Sequence, residues 1–473
     1  MLTESERELR GLSGRLAPAI VACSLLAGCG SMRAPPPPYQ HFRSRPDLKP
    51  PPVEILTPPH GTARGYIFIA PKKNVAQAGP MILDDLGRLV WFRPLDTRGV
   101  TDFRVQTYRG RPVLTWWRGR PLHGKGDGNY AIVDTSYRPV ARVRPGNGLV
   151  GDIHEFLITR RDTALLTIFH RVHRGDRTVF EGAVQELDIA SGRVLFEWHS
   201  LAHVALDESY ERPPQKTSLP YDYFHINSID VDADSNLLVS ARNTHCIYKL
   251  DRGTGRILWR LGGKRSDFEL GPGAHFAWQH DARRLPDGTI SLFDNEAAPR
   301  AGLQSRGLVL RLDLQRMRAT LVRSLVHRPR LLAATQGNVQ LLPDGHYFVG
   351  WGSRPYFTEY DAAGRGVLFD ARFGYRDDSY RAYRFPWIGR PGGRPALAIS
   401  GTSAYVSWNG ATEVARWQLL AGAAAGRLRP VRTVPKRGFE TAMPIPAAAR
   451  HIAVRALARD GTVLGTSRTL PPP

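Results

Sequence analysis

Three histidines stand at matching places along this chain. His154 (GDIHEFLITRRD), His225 (FHINSIDVDADS) and His280 (WQHDARRLPDG) each open an apolar hairpin, 8, 9 and 7 residues ahead of the turn residues Asp162, Asp234 and Asp287. A neutral imidazole can act as a nucleophile or carry a proton, and three imidazoles can ligate a metal ion. Arg242 separates these chemistries. If Ala233-Asp234-Ser235-Asn236 closes a hairpin with a loop of two or four residues, Arg242 shares one strand face with His225 and Asn227. A guanidinium there is a permanent cation in a planar fork, matched to a tetrahedral oxyanion, where a metal centre would want a carboxylate. The set therefore predicts an anion-binding funnel with no metal and no cofactor. Asp281 is not thereby the partner of His280, because neighbours on a strand face opposite ways. The flanking equivalents, Asp102 and Gly337-Asn338, break the histidine series, which argues against a purely structural ring.

A repeat must bring residues this far apart together. One phrase, a strand ending in Asp, a short turn and an apolar strand, recurs as ILDDLGRLVWF, IVDTSYRPVARV, LDIASGRVLFEW, LDRGTGRILWRL, LDLQRMRATLV and YDAAGRGVLFD. Its aspartates are Asp84, Asp134, Asp188, Asp251, Asp313 and Asp361, spaced 50, 54, 63, 62 and 48 residues apart. Asp and Gly suit such reversals, and the period is that of a propeller blade. A second hairpin phrase lies between successive copies (VQTYRGRPVLTWW, FLITRRDTALLTIF, IDVDADSNLLVSAR, ARRLPDGTISLFDN, VQLLPDGHYFVGWG) and completes four strands per period. The fold class is accordingly all-β, a six-bladed β-propeller over residues 61–390 followed by a small β-sandwich. The last blade's missing hairpin is expected from Tyr380 to Trp387 joined to the N-terminal strand. In a propeller, equivalent blade positions meet around the axis, so the three histidines converge.

Residues 391–473 carry alternating strands (TSAYVSWNGA, VARWQLLAG, HIAVRALARDGTVLGTS) and resemble a fibronectin type III module, with His451 where that family usually places a tyrosine. No chemistry is apparent in it.

The runs FHINSIDVDADSNLLVSARNT, LWRLGGKRSDFELGPGAHFAWQHDARRLPDGTISLFDN and GYIFIAPKKNVAQAGPMILDDLGRLVWFRP resemble the arylsulfotransferase (aryl-sulfate sulfotransferase) family over roughly Phe42 to Trp387. That resemblance implies sulfuryl transfer from an aryl sulfate ester to a phenol outside the cytoplasm, without a nucleotide sulfate donor. It implies His280 as the nucleophile that becomes a transient sulfohistidine, with ping-pong kinetics. Arg242, His225, His154 and Asn227 would hold the sulfuryl oxygens, and Asn243 and Asn295, within the same motifs, would bind substrate. The partners are then a small aryl sulfate and a phenol. Two other readings stay open: a metal centre, and a non-catalytic propeller gripping a sulfated or other anionic ligand.

The formal charge of +22 is spread along the chain rather than run together in a basic arm, which argues against nucleic acid and for a field that concentrates anions. Residues 1–29 read as an export segment. LAPAIVACSLLAGC ends in a bacterial lipoprotein-like site at Cys29, the expected lipid carrier and sole membrane link, although MLTESERELRGLSGR ahead of it suits a start placed too far upstream. Residues 30–60, rich in proline, read as an extended tether. Only Cys246 is left for the fold, so no disulfide framework is expected.

Overall fold

The computed structural model describes residues 37–472 apart from 123, 297–301 and 375. Cys23, Cys29 and the rest of the export segment lie outside these residues. The described chain is all-β, with two 3-10 turns at Ser200–Ala202 and Leu206–Glu208. No helix among the described residues is long and apolar enough to cross a membrane.

The strands fall into antiparallel groups of four that follow the repeat. Ile226–Val231, Leu237–Ala241, Cys246–Leu250 and Ile257–Gly262 form one sheet, in chain order. His280–Arg284, Ile290–Asp294, Arg306–Asp313 and Arg318–Val326 form the next, and Asn338–Leu341, Tyr347–Gly350, Tyr356–Tyr360 and Val367–Phe373 another. A nine-stranded sheet contains two such groups, Gly99–Tyr108 to Pro139–Val143 and Gly151–Ile158 to Val194–His199, joined where Gly128 pairs with Gly151. The remaining group combines both ends of the repeat region: Tyr66–Ile69, Met81–Leu83 and Leu89–Phe92 take Tyr383–Phe385 as their fourth strand, with Tyr66 opposite Phe385.

The recurring aspartates explain the turns. Oδ1 of Asp84, Asp134, Asp251, Asp313 and Asp361 each accepts a backbone N–H two to four residues on, and Asp188 does so from Ser191. An Asx turn of this kind satisfies the loop's donors locally, so the repeat is a turn signal before it is anything else.

Apolar faces fill the space between successive groups. Phe68 and Trp91 meet Phe103 and Trp116; Tyr130 stacks on Phe156 at 4.6 Å between ring centroids; Leu165 and Val184 pack with Ile229 and Val239. Leu238 and Leu261 meet Ile290 and Leu308, and Phe293 and Val309 meet Val339 and Val349. Phe348 and Phe357 pack on Ile67 and Met81 of the first group, which closes the circuit.

Residues after Pro391 build two further sheets, Ala396–Ser400 with Ser403–Ser407 and Glu440–Pro444, and Arg429–Pro435 with Arg416–Gly422, His451–Leu457 and Val463–Thr466. Trp417 is buried between them with Val406, Met443 and Val454.

Over the described residues 37–60 the expected tether is corrected. Val53–Thr57 is an edge strand on Val367–Phe373, Leu48 is buried, Phe42 packs on Phe439, and Ser44 N–H donates to Glu440 Oε2 at 2.6 Å. Proline forbids helix but leaves the chain free to lie extended against a sheet edge and to bury the apolar residues between prolines.

Where the strands of the repeat meet lies a largely buried ionic cluster. Arg381 Nη1 lies 2.8 Å from Asp102 Oδ1, its Nη2 3.2 Å from Glu155 Oε2 and its Nε 3.1 Å from Asp281 Oδ1. Arg283 pairs with Asp281 at 2.7 Å and also with Glu155, and Arg104 reaches Glu155 Oε1 at 2.5 Å. Three guanidiniums thus neutralise three carboxylates drawn from three strand groups. Burial alone would raise the Glu155 carboxyl, but Arg283, Arg381 and Arg104 together hold it well below the usual range. Replacing Arg381 by Met leaves buried carboxylate charge uncompensated, so urea denaturation should show a loss of about 3–5 kcal/mol.

Candidate active site

The cluster acids are sequence neighbours of the histidines. Glu155 follows His154 and Asp281 follows His280. The acid enters the ionic cluster while the imidazole takes other partners, and at Asp281 this is set by a bulge with φ 57 rather than by regular alternation. Asp281 is spent on Arg283 and Arg381.

Each histidine has its own anchor at Nδ1. His154 Nδ1 bonds Asp152 Oδ2, and His225 Nδ1 bonds Asp222 Oδ2 at 2.6 Å, where Lys125 Nζ adds an ion pair at 2.7 Å. His280 Nδ1 donates to Asn295 Oδ1 at 2.7 Å, while its Nε2 accepts the backbone N–H of Gln336 at 3.2 Å. Those two bonds define a neutral ring with its lone pair on Nε2. Burial, then Arg242 and His154, push the His280 pKa well below its ordinary value despite the opposing bond to Asn295. Burial likewise outweighs Asp222 and lowers His225 to about 4.

The rings gather as the repeat requires. His154 and His225 meet edge to face at 5.1 Å between centroids, and Tyr380 stands 5.6 Å from His154 and 6.5 Å from His280. The Tyr380 hydroxyl is buried without a hydrogen-bond partner. Arg242 lies over Trp278, with Cζ 4.5 Å from the ring, and donates from Nη1 to Asn243 Oδ1 at 2.8 Å. Among the described residues no carboxylate pairs with Arg242, and its Nε is buried without a partner. An unpaired guanidinium beside the neutral His280 ring is chemically suited to an anion.

Hairpin register brings Arg242 opposite His225 by a different route from the one expected. The loop is three residues, Ala233-Asp234-Ser235, with Ser235 at φ 70 between Asp232 and Asn236. Val231 faces Leu237, so Arg242 would slip past His225 but for a bulge at Asn227 that shifts the register. The Arg242 N–H then donates to the His225 carbonyl at 2.9 Å. Bulges recur at Asp281 and Asp102, and His225, Trp278, Asp281, Asp102 and Gln336 all have positive φ, backbone strain concentrated where the side chains must be aimed.

The three asparagines differ. Asn227 Nδ2 donates to the Gln279 carbonyl and its Oδ1 is buried without a partner, open to a donor. Asn243 is occupied at both ends, by Arg242 and by the Asp222 carbonyl, and Asn295 by His280 and the carbonyls of Ala333 and Gln336. Both were expected to bind substrate; their polar atoms instead orient Arg242 and His280. The sequence reading did not single out Asp152, Asp222, Tyr380 or Gln336 as site residues. An Asp two or three residues ahead of His154 and His225 was the available signal for the first pair. Nothing local marks Gln336, which reaches His280 because Gly337, at φ 104 with Phe293 packed where a Cβ would sit, turns the chain inward.

These features define a class, an all-β protein whose sheets converge on a buried group of histidines beside an arginine that has no carboxylate partner among the described residues. The model of the arylsulfotransferase (ASST) family matches residues 104–374, over half of the chain, and the chain belongs to that family. The sequence matches no curated protein significantly. Among solved structures it is similar to a protein of unknown function from Bacteroides caccae (13% identity, 67% of this chain and 98% of that one, TM-score 0.41). It is also similar to a virginiamycin B lyase from Staphylococcus aureus (10%, 76% and 96%, 0.36) and to a Lactobacillus plantarum protein (12%, 80% and 100%, 0.38).

Because the folded state resists protonating His225, it binds fewer protons there than the unfolded chain does. Stability is then complete above the unfolded value of about 6.5 and falls as pH drops below it, towards the folded value. Nitrogen NMR of labelled imidazoles should show His225 neutral at pH 5.5, with a midpoint of about 4.

Proposed function

We propose that this chain transfers a sulfuryl group from an aryl sulfate ester to a phenol through a sulfohistidine on His280. Family membership supports the reaction class. The observation that carries the residue assignment is the neutral His280 ring, whose Nδ1 donates to Asn295 and whose Nε2 lone pair is met only by the Gln336 N–H, with Arg242 and His154 near enough to depress its pKa.

In the first step the Nε2 lone pair attacks sulfur, an N–S bond forms, the aryl O–S bond breaks and the phenolate leaves with its electron pair. In the second, the acceptor's oxygen attacks sulfur, the N–S electrons return to Nε2, and the acceptor's proton passes to solvent. Charge spreads over the transferred oxygens in a loose transition state, so fixed donors do most of the work. Arg242 supplies the charge, and the Tyr380 hydroxyl and the Gln336 N–H, displaced from Nε2 when it is sulfated, are donors without another partner there.

We assign the six four-stranded groups to a six-bladed propeller, on the closed circuit of packing between successive groups, and the sheets after Pro391 to a fibronectin type III-like sandwich. We further propose export with a lipid on Cys29, from the LAGC sequence. A non-catalytic receptor for an anionic sulfate ester would use the same Arg242 and differs only in lacking turnover.

Purified protein with p-nitrophenyl sulfate and a phenol should give parallel double-reciprocal lines, donor-dependent label on His280, and no transfer after His280→Ala. Donor binding without transfer to any phenol would establish the receptor instead. Arg242→Ala should lower kcat/KM by about 100-fold or more, the scale for losing one preorganised donor, with Arg242→Lys recovering only part.

A further inference from the structure

A second histidine cluster lies away from this site, on the sheet face opposite Phe169. His170 and Glu181 are direct cross-strand partners, and His199, on the adjoining strand, faces Ala183 two residues along, so all three side chains share one face. We propose that His170, Glu181 and His199 bind a divalent first-row transition cation, with zinc as the type ion. The two imidazoles both turn Nδ1 to the same oxygen, Glu181 Oε2, at 3.4 Å from His170 and 2.9 Å from His199, and the three ligand atoms lie within 4.8 Å of one another. A tetrahedral ion with ligands at about 2.0–2.2 Å sets them roughly 3.3–3.6 Å apart, so the cluster needs only a small adjustment to close on one.

The surroundings are built as a metal site's are. A ligating histidine characteristically donates its other N–H to a carboxylate, which fixes the ring and raises its basicity. His199 Nε2 bonds Glu197 Oε1 at 2.8 Å, and Glu197 Oε2 is in turn held by Gln185 and by Asn147 at 2.8 Å. Glu181 is fixed in the same manner: its Oε1 accepts the Leu201 N–H at 3.2 Å, which leaves Oε2 to the imidazoles. Glu181 is buried while both histidines are half-exposed, so an ion can enter from solvent and keep a water as its fourth ligand. Two carboxylates in the assembly match the charge of a dication.

The site ties three strands, Thr163–Arg174, Arg177–Asp188 and Val194–His199, to the Ser200–Ala202 turn. Phe169, beside His170, packs on His154 and His225, so the cation would brace from behind the strand that backs the central site. Among the described residues Asp344, His346 and Glu359 form the other group within ligand reach, and it serves as a control.

Untagged full-length protein, stripped with chelator, should bind one zinc ion per chain by calorimetry at this site and show visible d–d absorption with cobalt. His170→Gln and His199→Ala should each abolish that signal, while His346→Ala leaves it intact. Glu197→Gln should retain the ion with roughly 10–100-fold weaker affinity. Zinc should raise the melting temperature of the wild type but not of His170→Gln, a surface change whose fold is checked by circular dichroism. The proposal is overturned if the wild type binds no ion, if His170→Gln and His199→Ala bind as the wild type does, or if His346→Ala removes the signal. Cobalt absorption and melting are read without substrate, so they do not depend on sulfuryl transfer.

Discussion

A guanidinium sealed in a protein interior must find carboxylates, and Arg381 finds three. Asp102, Glu155 and Asp281 come from strands that are distant in sequence, and each is within ion-pair reach of the same side chain. A slip of one residue would turn apolar side chains to the wrong face and, in the ionic cluster, strand charge in a low dielectric. That constraint fixes several strands together, and the histidines inherit the precision because two of them are next-door neighbours of cluster acids.

Above that neutral plug the electrostatics change. Arg104, Arg283 and Arg381 are matched, whereas Arg242 is held by an aromatic face and an amide and has no counter-ion among the described residues. His280 is denied a proton by burial and by that charge, and His225 by burial. An unpaired cation beside a neutral His280 favours an incoming anion without adding a competing proton, which is what the proposed nucleophilic imidazole needs.

Local rules read from the chain reached far. The recurring aspartates are turn acceptors, so their spacing reported the strand groups faithfully, and the histidines were placed by their offset from such turns. Rules failed where a single residue breaks periodicity. The three-residue loop at Asp234 and the bulge at Asn227 each shift register, and their effects offset one another, so Arg242 was placed opposite His225 by a route the structure replaces. Prolines before Val53 read as a tether because a free sheet edge that accepts an extended strand leaves no mark in the segment that will occupy it.

The sequence by itself determined the all-β repeat, the candidate histidines and the cation beside them, because turn chemistry and strand alternation are local. Only the tertiary structure decided which polar groups are spent and which are free. Asn295 is a tether for His280, Asp281 a member of the ionic plug, Tyr380 an unpartnered hydroxyl and Gln336 a donor to Nε2. Hydrogen-bond capacity is finite, and which partner takes it depends on residues brought together from across the chain.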